Sequence, residues 1–412
     1  MKRSIWSVAV VMLVLMIALI GCTGTPKVGV REKKQTRAQV VQKGTSVTVK
    51  TAADWATDYP DIYASYLLNK NNSENYNYPD KYTMLKVVYQ GMAFNEFYKS
   101  ARGHVYTVED LRATGRPHPL ANCFTCKTPN FTAAAIERGA AAYTIPFAEM
   151  DSQVTEPVSC YNCHADDPNT LTVTHTYLSD ALGQDVFTVE PTALACAQCH
   201  VEYYFDPATR AVTLPYKSLA TMNPDAMLAY YNEINFADYT NPRTGVRQIK
   251  IQHPEFETYR GEGGLFFAMT GKYACADCHM PTRFNANKEA YTHHEWGSPL
   301  NNASLIKNEC SQCHRNIASE VKRIQDQVHG RSIDIGKAIE AFTEDLAAKI
   351  AGGSYTDAQL APVRQTARDA QFYWDFVWVE NSNGAHSKKL SNQCLDKAEA
   401  LLNEAKSLLT SL

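Results

Sequence analysis

The sequence predicts a mainly α fold with little β structure, long helices at the C-terminal end, and a core organised by something other than a sheet. Three observations predict it. Strand signals across the 412 residues are sparse and short. Ten of the twelve cysteines fall in five Cys-x-x-Cys pairs, set in loop-rich stretches with only short helical periods. The C-terminal third, by contrast, keeps a long apolar helical period.

That third divides at legible signals. Ile317, Val321, Ile324 and Val328 share a face that continues through Ile335, Ile339, Phe342, Leu346 and Ile350, and Gly352-Gly353 end the run. Thr356 and Gln359 have capping-box spacing and open a second helix through Leu360, Val363, Ala367 and Ala370 to about Val379. A third spans roughly Ser391 to Leu409. Helices with one apolar face pack on a core or a partner, so residues 303–412 are expected to add a dimer contact.

The N-terminus sets the compartment. Lys2 and Arg3 precede an apolar run from Val8 to Ile20, then Gly21 and Cys22. The run is short for a membrane span, and its basic start and small-residue end read as an export signal over residues 1–22. Leu19-Ile20-Gly21-Cys22 resembles a bacterial lipobox, which implies lipidation of Cys22 and membrane anchoring in the periplasm or another extracytoplasmic space. Residues 23–53 are polar without apolar period and read as a tether, leaving 54–412 as the globular domain.

Forty basic against 43 acidic residues, a formal charge of −3, and no long charge run exclude a nucleic-acid-binding surface. No Gly-rich turn follows a strand, so nothing binds a nicotinamide or flavin. The chemistry lies in the cysteines. Cys160-x-x-Cys163-His164, Cys196-x-x-Cys199-His200, Cys275-x-x-Cys278-His279 and Cys310-x-x-Cys313-His314 each carry the c-type haem attachment signal: two thiols bond the porphyrin and the histidine ligates iron. The expected fold is therefore a multihaem cytochrome c with a haem-packed core, the porphyrins supplying apolar surface that short helices lack.

The first pair differs, reading Cys123-Phe-Thr-Cys126-Lys127. As a fifth haem site it would take Lys127 as proximal ligand. The amine must be neutral to donate, against a reference pKa of about 10.4. An amine donor with an open opposite face makes this iron a substrate site, and the four histidine haems wires. Cys394, among Leu395, Ala398 and Leu402, reads as a buried unpaired thiol.

At Cys123-x-x-Cys-Lys127 the chain resembles the pentahaem, ammonia-forming cytochrome c nitrite reductases. Cys199-His-Val-Glu-Tyr-Tyr-Phe205, Lys250-Ile-Gln-His-Pro-Glu255 and Asp110-Leu-Arg-Ala-Thr-Gly-Arg116 support the resemblance, which runs from about residue 54 to the C-terminus. It implies a distal pocket of Arg116, Tyr204 and His253 above the haem of Lys127. A fixed guanidinium and a histidine suit a small anion such as nitrite, and His253 can protonate the oxygen that leaves as water. It also implies a calcium held by Glu202, the carbonyls of Tyr203 and Lys250, and the side-chain oxygen of Gln252. The implied distal ligands are His294 for the second haem, with His293 in competition, His104 for the third and His386 for the fourth.

The chain departs from that pattern at the fifth haem. No histidine lies between His253 and His279, where the family places the ligand, and Met269 stands there as a thioether donor. His118, His175 and His329 are spare. The resemblance implies periplasmic six-electron reduction of nitrite to ammonium, with hydroxylamine or sulfite as further substrates. Electrons would come from a membrane multihaem quinol dehydrogenase or a soluble cytochrome, and the enzyme would be a homodimer. The competing reading is a non-catalytic electron-transfer lipoprotein, which predicts saturated coordination at all five irons.

Overall fold

A computed structural model describes residues 35, 37–93, 95–115, 117, 119–261, 269 and 271–412. The export signal, Cys22, Arg116 and His118 lie outside the described residues.

The described chain is mainly helical. Its β structure amounts to four two-stranded ladders with strands of two or three residues. Up to about residue 314 the chain alternates short helices, 3₁₀ turns and loops. Three long helices follow, Ile317–Gly352, Asp357–Trp378 and Lys388–Ser411. Thr356 and Gln359 form the expected capping box at the start of the second. The third starts earlier than the apolar period suggested, because Ser387 caps it by accepting from the Leu390 N–H, and Leu390 is already buried.

The long helices pack on one another through Ile335, Ile339, Phe342, Leu360, Trp374, Leu395 and Leu402, all at most 4% exposed. Burying such side chains stabilises the domain by about 1.5–3 kcal/mol each. The middle helix is buried on nearly every side from Ala370 to Trp378. It therefore serves as the spine against which segments 236–251 are set, with Arg368 donating to the carbonyls of Phe236 and Arg247.

The polar stretch before residue 54 is a tether at most up to its described part. From Gln35 onward it is docked: Gln35 exchanges side-chain hydrogen bonds with Leu171, and Gln39–Val40 pairs in parallel with Thr172–Val173. Lys43 then pairs with Asp180, and the Gly44 N–H with the Ile136 carbonyl. Backbone pairing holds this stretch, which is why apolar periodicity missed it.

Candidate haem and catalytic site

The attachment segments share one local design, with one exception. In the second, third and fifth, the histidine N–H donates back to the carbonyl of the first cysteine at 2.9–3.0 Å, a helical turn that places both thiols and the imidazole together. The fourth is a short helix, Cys275–His279. The first is built otherwise: Lys127 N–H donates to Phe124 and not to Cys123, and Cys126 takes the left-handed conformation at φ +62°. A non-glycine residue there costs on the order of 1 kcal/mol, so this segment holds a local strain that the other four lack.

Each imidazole expected at an iron can be followed individually. His164 faces His294 with ring centres 6.3 Å apart, His200 faces His104 at 6.1 Å, and His279 faces His386 at 6.1 Å. Two imidazoles sharing a metal at about 2 Å from each nitrogen have ring centres about 6 Å apart, so the gaps fit an iron. The Nδ1 atoms are fixed by the protein. His164 holds Thr170 O, His279 Gly297 O, His294 Thr292 O, His386 Glu380, His314 Glu320 and His200 Glu255. That leaves Nε2 on each for a metal, the arrangement ligating histidines need. None of the ten paired cysteines is in a disulfide and none is buried, so the sulfurs are available for thioether bonds. On donor set, spacing and tautomer, the residues fit haem c.

The distal histidines arrive by tight backbone contacts. Gly103 lies against the Asn69 carbonyl, 2.0 Å from where a Cβ would stand, and delivers His104. Asn69 donates through Nδ2 to the His294 carbonyl at 2.7 Å, tying the two ligand turns together. His293, the competitor, packs on Tyr291 instead. His386 follows a turn with Asn383 and Gly384 at positive φ, Gly384 fitting against Val328.

The thiols order the sites. Cys126 is adjacent to Cys199, Cys196 to Cys275, and Cys278 is within electrostatic reach of Cys310. The first, third, fourth and fifth segments therefore form a row, and Cys163 of the second reaches it at Cys199.

Around Lys127 the structure gathers His104 and His253, whose imidazoles both feel its charge. His253 lies 5.9 Å from the His200 ring, and Glu255 stands 3.4 Å from His200 Nδ1 and 4.0 Å from His253 Nδ1. With Nδ1 of His200 held by Glu255, its Nε2 remains for iron, opposite the His104 ring at 6.1 Å. Burial, offset in part by Glu255, pushes the His253 imidazole down to about 4, and its buried Nδ1 has no hydrogen-bond partner. The sequence reading quoted Glu255 only as part of a motif and gave it no role; its position two residues after His253 and beside Pro254 was the available signal.

Tyr204 is not part of that group. Its ring is 4% exposed among Tyr230, Tyr231 and Phe236, and its hydroxyl meets Tyr230 at 2.6 Å. Alternation along the Tyr204–Phe205 strand turns Tyr203 to the other face, where it is half-buried and packs on Phe205.

The residues expected at a cation converge. Glu202 is fully buried, accepting from Tyr231 at 2.8 Å and from the Gln252 N–H at 2.6 Å. Gln252 Nε2 donates to the Lys250 carbonyl at 3.0 Å, an assignment that an amide flip would exchange for the expected oxygen. The Lys250 ammonium turns away to Asp375, and Glu257, also fully buried, keeps one unpartnered oxygen. Burial pushes both glutamates up. Two buried carboxylates, with no cationic side chain bonded to either among the described residues, suit a hard cation.

Fold and site together define a multihaem c-type cytochrome. The cytochrome c552 family profile matches residues 51–412, and the chain belongs to that family. Among solved structures it is similar to the catalytic subunit of cytochrome c nitrite reductase from Desulfovibrio desulfuricans, a structure with two calcium sites. The TM-score is 0.77 at 23% identity, covering 93% of this chain and 88% of that one, and shows the fold. An outer cell wall cytochrome (20% identity, 73% and 48% of the two chains, TM-score 0.39) resembles it more loosely. So does an undecahaem S-layer cytochrome of Carboxydothermus ferrireducens (18%, 74% and 41%, TM-score 0.39); neither carries an argument.

Proposed function

We propose that this protein reduces nitrite to ammonium at the haem of Cys123, Cys126 and Lys127, with the other four haems relaying electrons. The observation that carries the reading is the contrast among ligand sets. Three attachment histidines have an opposing imidazole at iron spacing, whereas Lys127 stands on a different backbone turn beside His253, whose buried Nδ1 makes no hydrogen bond. The likeness in fold to a nitrite reductase supports the same reading.

When bound, the haems supply six electrons and an iron that holds nitrogen. The chain's own residues do the rest. Arg116 binds the anion's charge and His253 delivers protons to its oxygens, which leave as two waters. Glu255 sets a carboxylate 4.0 Å from His253 Nδ1, beside the proton donor. The role expected of Tyr204 passes to Tyr203, the tyrosine on the opposite face of the strand. Glu202, the carbonyls of Tyr203 and Lys250, and Gln252 hold calcium, locking the segments of Tyr203 and His253 to each other. His104, His294 and His386 are the distal ligands. Hydroxylamine and sulfite enter the same pocket as alternative substrates.

The protein acts outside the cytoplasm, anchored through Cys22, as a homodimer through residues 303–412, and takes electrons from a membrane quinol dehydrogenase or a soluble cytochrome. No helix among the described residues is long and apolar enough to cross a membrane.

The test is ammonium formation from nitrite with viologen reduced by dithionite, comparing wild type with Lys127→His at equal haem content. Stoichiometric ammonium from the wild type and a sharp fall in the variant are expected. A fully loaded wild type that forms no ammonium would leave an electron carrier.

A further inference from the structure

Four attachment histidines need a ligand on the opposite face of the haem, and the structure pairs only three of them with a second imidazole. No imidazole faces His314 among the described residues. The remaining described histidines are engaged elsewhere. His175 sits with Thr174 and Gln198, His253 beside Glu255, His293 on Tyr291, and His329 against Tyr82 and Trp378.

Met269 opens a turn in which its carbonyl accepts from the N–H groups of Lys272 and Tyr273, at 3.1 and 2.7 Å. That turn is pinned to the fifth attachment segment: the Tyr273 hydroxyl donates to Glu309, the residue before Cys310, at 3.4 Å, and Lys272 lies within electrostatic reach of Cys313. Met269 is half-buried. Across the site, His314 has Nδ1 bound to Glu320 at 2.9 Å, which leaves Nε2 for a metal.

We infer that the Met269 sulfur is the sixth ligand of the fifth haem, making it a His–Met iron at the end of the row opposite the lysine haem. The inference rests on the reading of Cys310, Cys313 and His314 as a haem site. Methionine ligation raises a haem's potential relative to bis-histidine. The fifth segment ends the row on the side away from Lys127, and Cys313 is exposed. A high-potential iron there is an electron-accepting terminus for an external donor.

The experiment uses the holoenzyme, with haem counted per chain. The ferric wild type should show a methionine-to-iron charge-transfer band, and the reduced protein should bind one carbon monoxide per chain, at the lysine haem. Met269→Ala should lose the band and bind two. Met269→His, the variant that keeps six-coordination, should lose the band, bind one, and lower a single midpoint potential. A band that persists in Met269→Ala overturns the inference. So does a wild type that lacks the band or binds two carbon monoxides, or a His118→Ala variant that binds the second one. A chain holding four haems with Cys310 and Cys313 unmodified overturns the haem reading of that segment itself, which separates the two failures.

Discussion

Asp375 and Lys250 form an ion pair closed to solvent, Nζ to Oδ2 at 3.0 Å with side chains 0% and 2% exposed. The same carboxylate accepts from the Ile251 N–H at 2.9 Å and from the Tyr89 hydroxyl, and Lys250 Nζ also donates to the Ile251 carbonyl. The middle long helix thus grips the segment that runs on through Gln252 to His253. Removing one partner of a buried pair leaves the other charge stranded, at about 3–5 kcal/mol. Asp375→Asn should lower the melting temperature accordingly and reduce nitrite turnover. The double variant Asp375→Leu with Lys250→Met should regain much of the stability in a thermal melt without regaining turnover, because the anchor at Ile251 N–H stays lost.

The approach of Gly103 to Asn69 gives a local prediction at the third haem. A Cβ on Gly103 would stand 2.0 Å from the Asn69 carbonyl oxygen, and backbone cannot yield as a side-chain tip does. Gly103→Ala should push His104 away from His200 and weaken its hold on that iron. Electron paramagnetic resonance should show one low-spin signal converted to high spin, with haem content unchanged.

The fold was legible where periodicity carries it. The helices ending at Gly352 and starting after Thr356 were readable from apolar spacing and caps, since both signals are local. The docking of Gln35–Val40 was not, because a two-residue parallel ladder leaves no pattern in composition. At the site, covalent attachment residues announce themselves by spacing, and His294, His104 and His386 were reached only through resemblance. Tyr204 was expected in the distal pocket, and its burial among Tyr230, Tyr231 and Phe236 leaves no mark in the sequence. Glu255, Glu257 and Asp375 were missed because burial, not residue type, makes a carboxylate informative. Asp375 did leave a trace, a lone charge within Phe372-Tyr-Trp-Asp-Phe-Val377.

A bound cation beside Glu202 should be separable from the haems. Glu202 and Glu257 are both fully buried, and the nearest ammonium, on Lys250, is committed to Asp375. Withdrawing calcium with a chelator should lower the melting temperature and nitrite turnover together, with the haem spectrum retained, and calcium should restore both. Glu202→Gln should reproduce the loss in a form that added calcium does not rescue. Equal melting curves with and without chelator would sink the cation site.

Asp225 and Lys397 connect the last long helix to helix Pro224–Glu233, and Tyr373 donates to the same carboxylate at 2.7 Å. Burial pushes the Asp225 carboxyl up, but the hydrogen bonds from Lys397 and Tyr373 outweigh it and hold the group below its ordinary value of 3.8. A depressed folded-state value means that the folded protein releases this proton more readily than the unfolded chain. The stabilisation is therefore present above the unfolded value and is lost as pH falls through the folded one. The wild type should lose melting temperature as pH drops below about 4, the unfolded carboxyl range. Asp225→Asn should begin lower at neutral pH and fall less steeply across that window, because its link to Lys397 has no charge to lose. Parallel curves from thermal melts followed by circular dichroism would show that the acid sensitivity lies elsewhere in the chain.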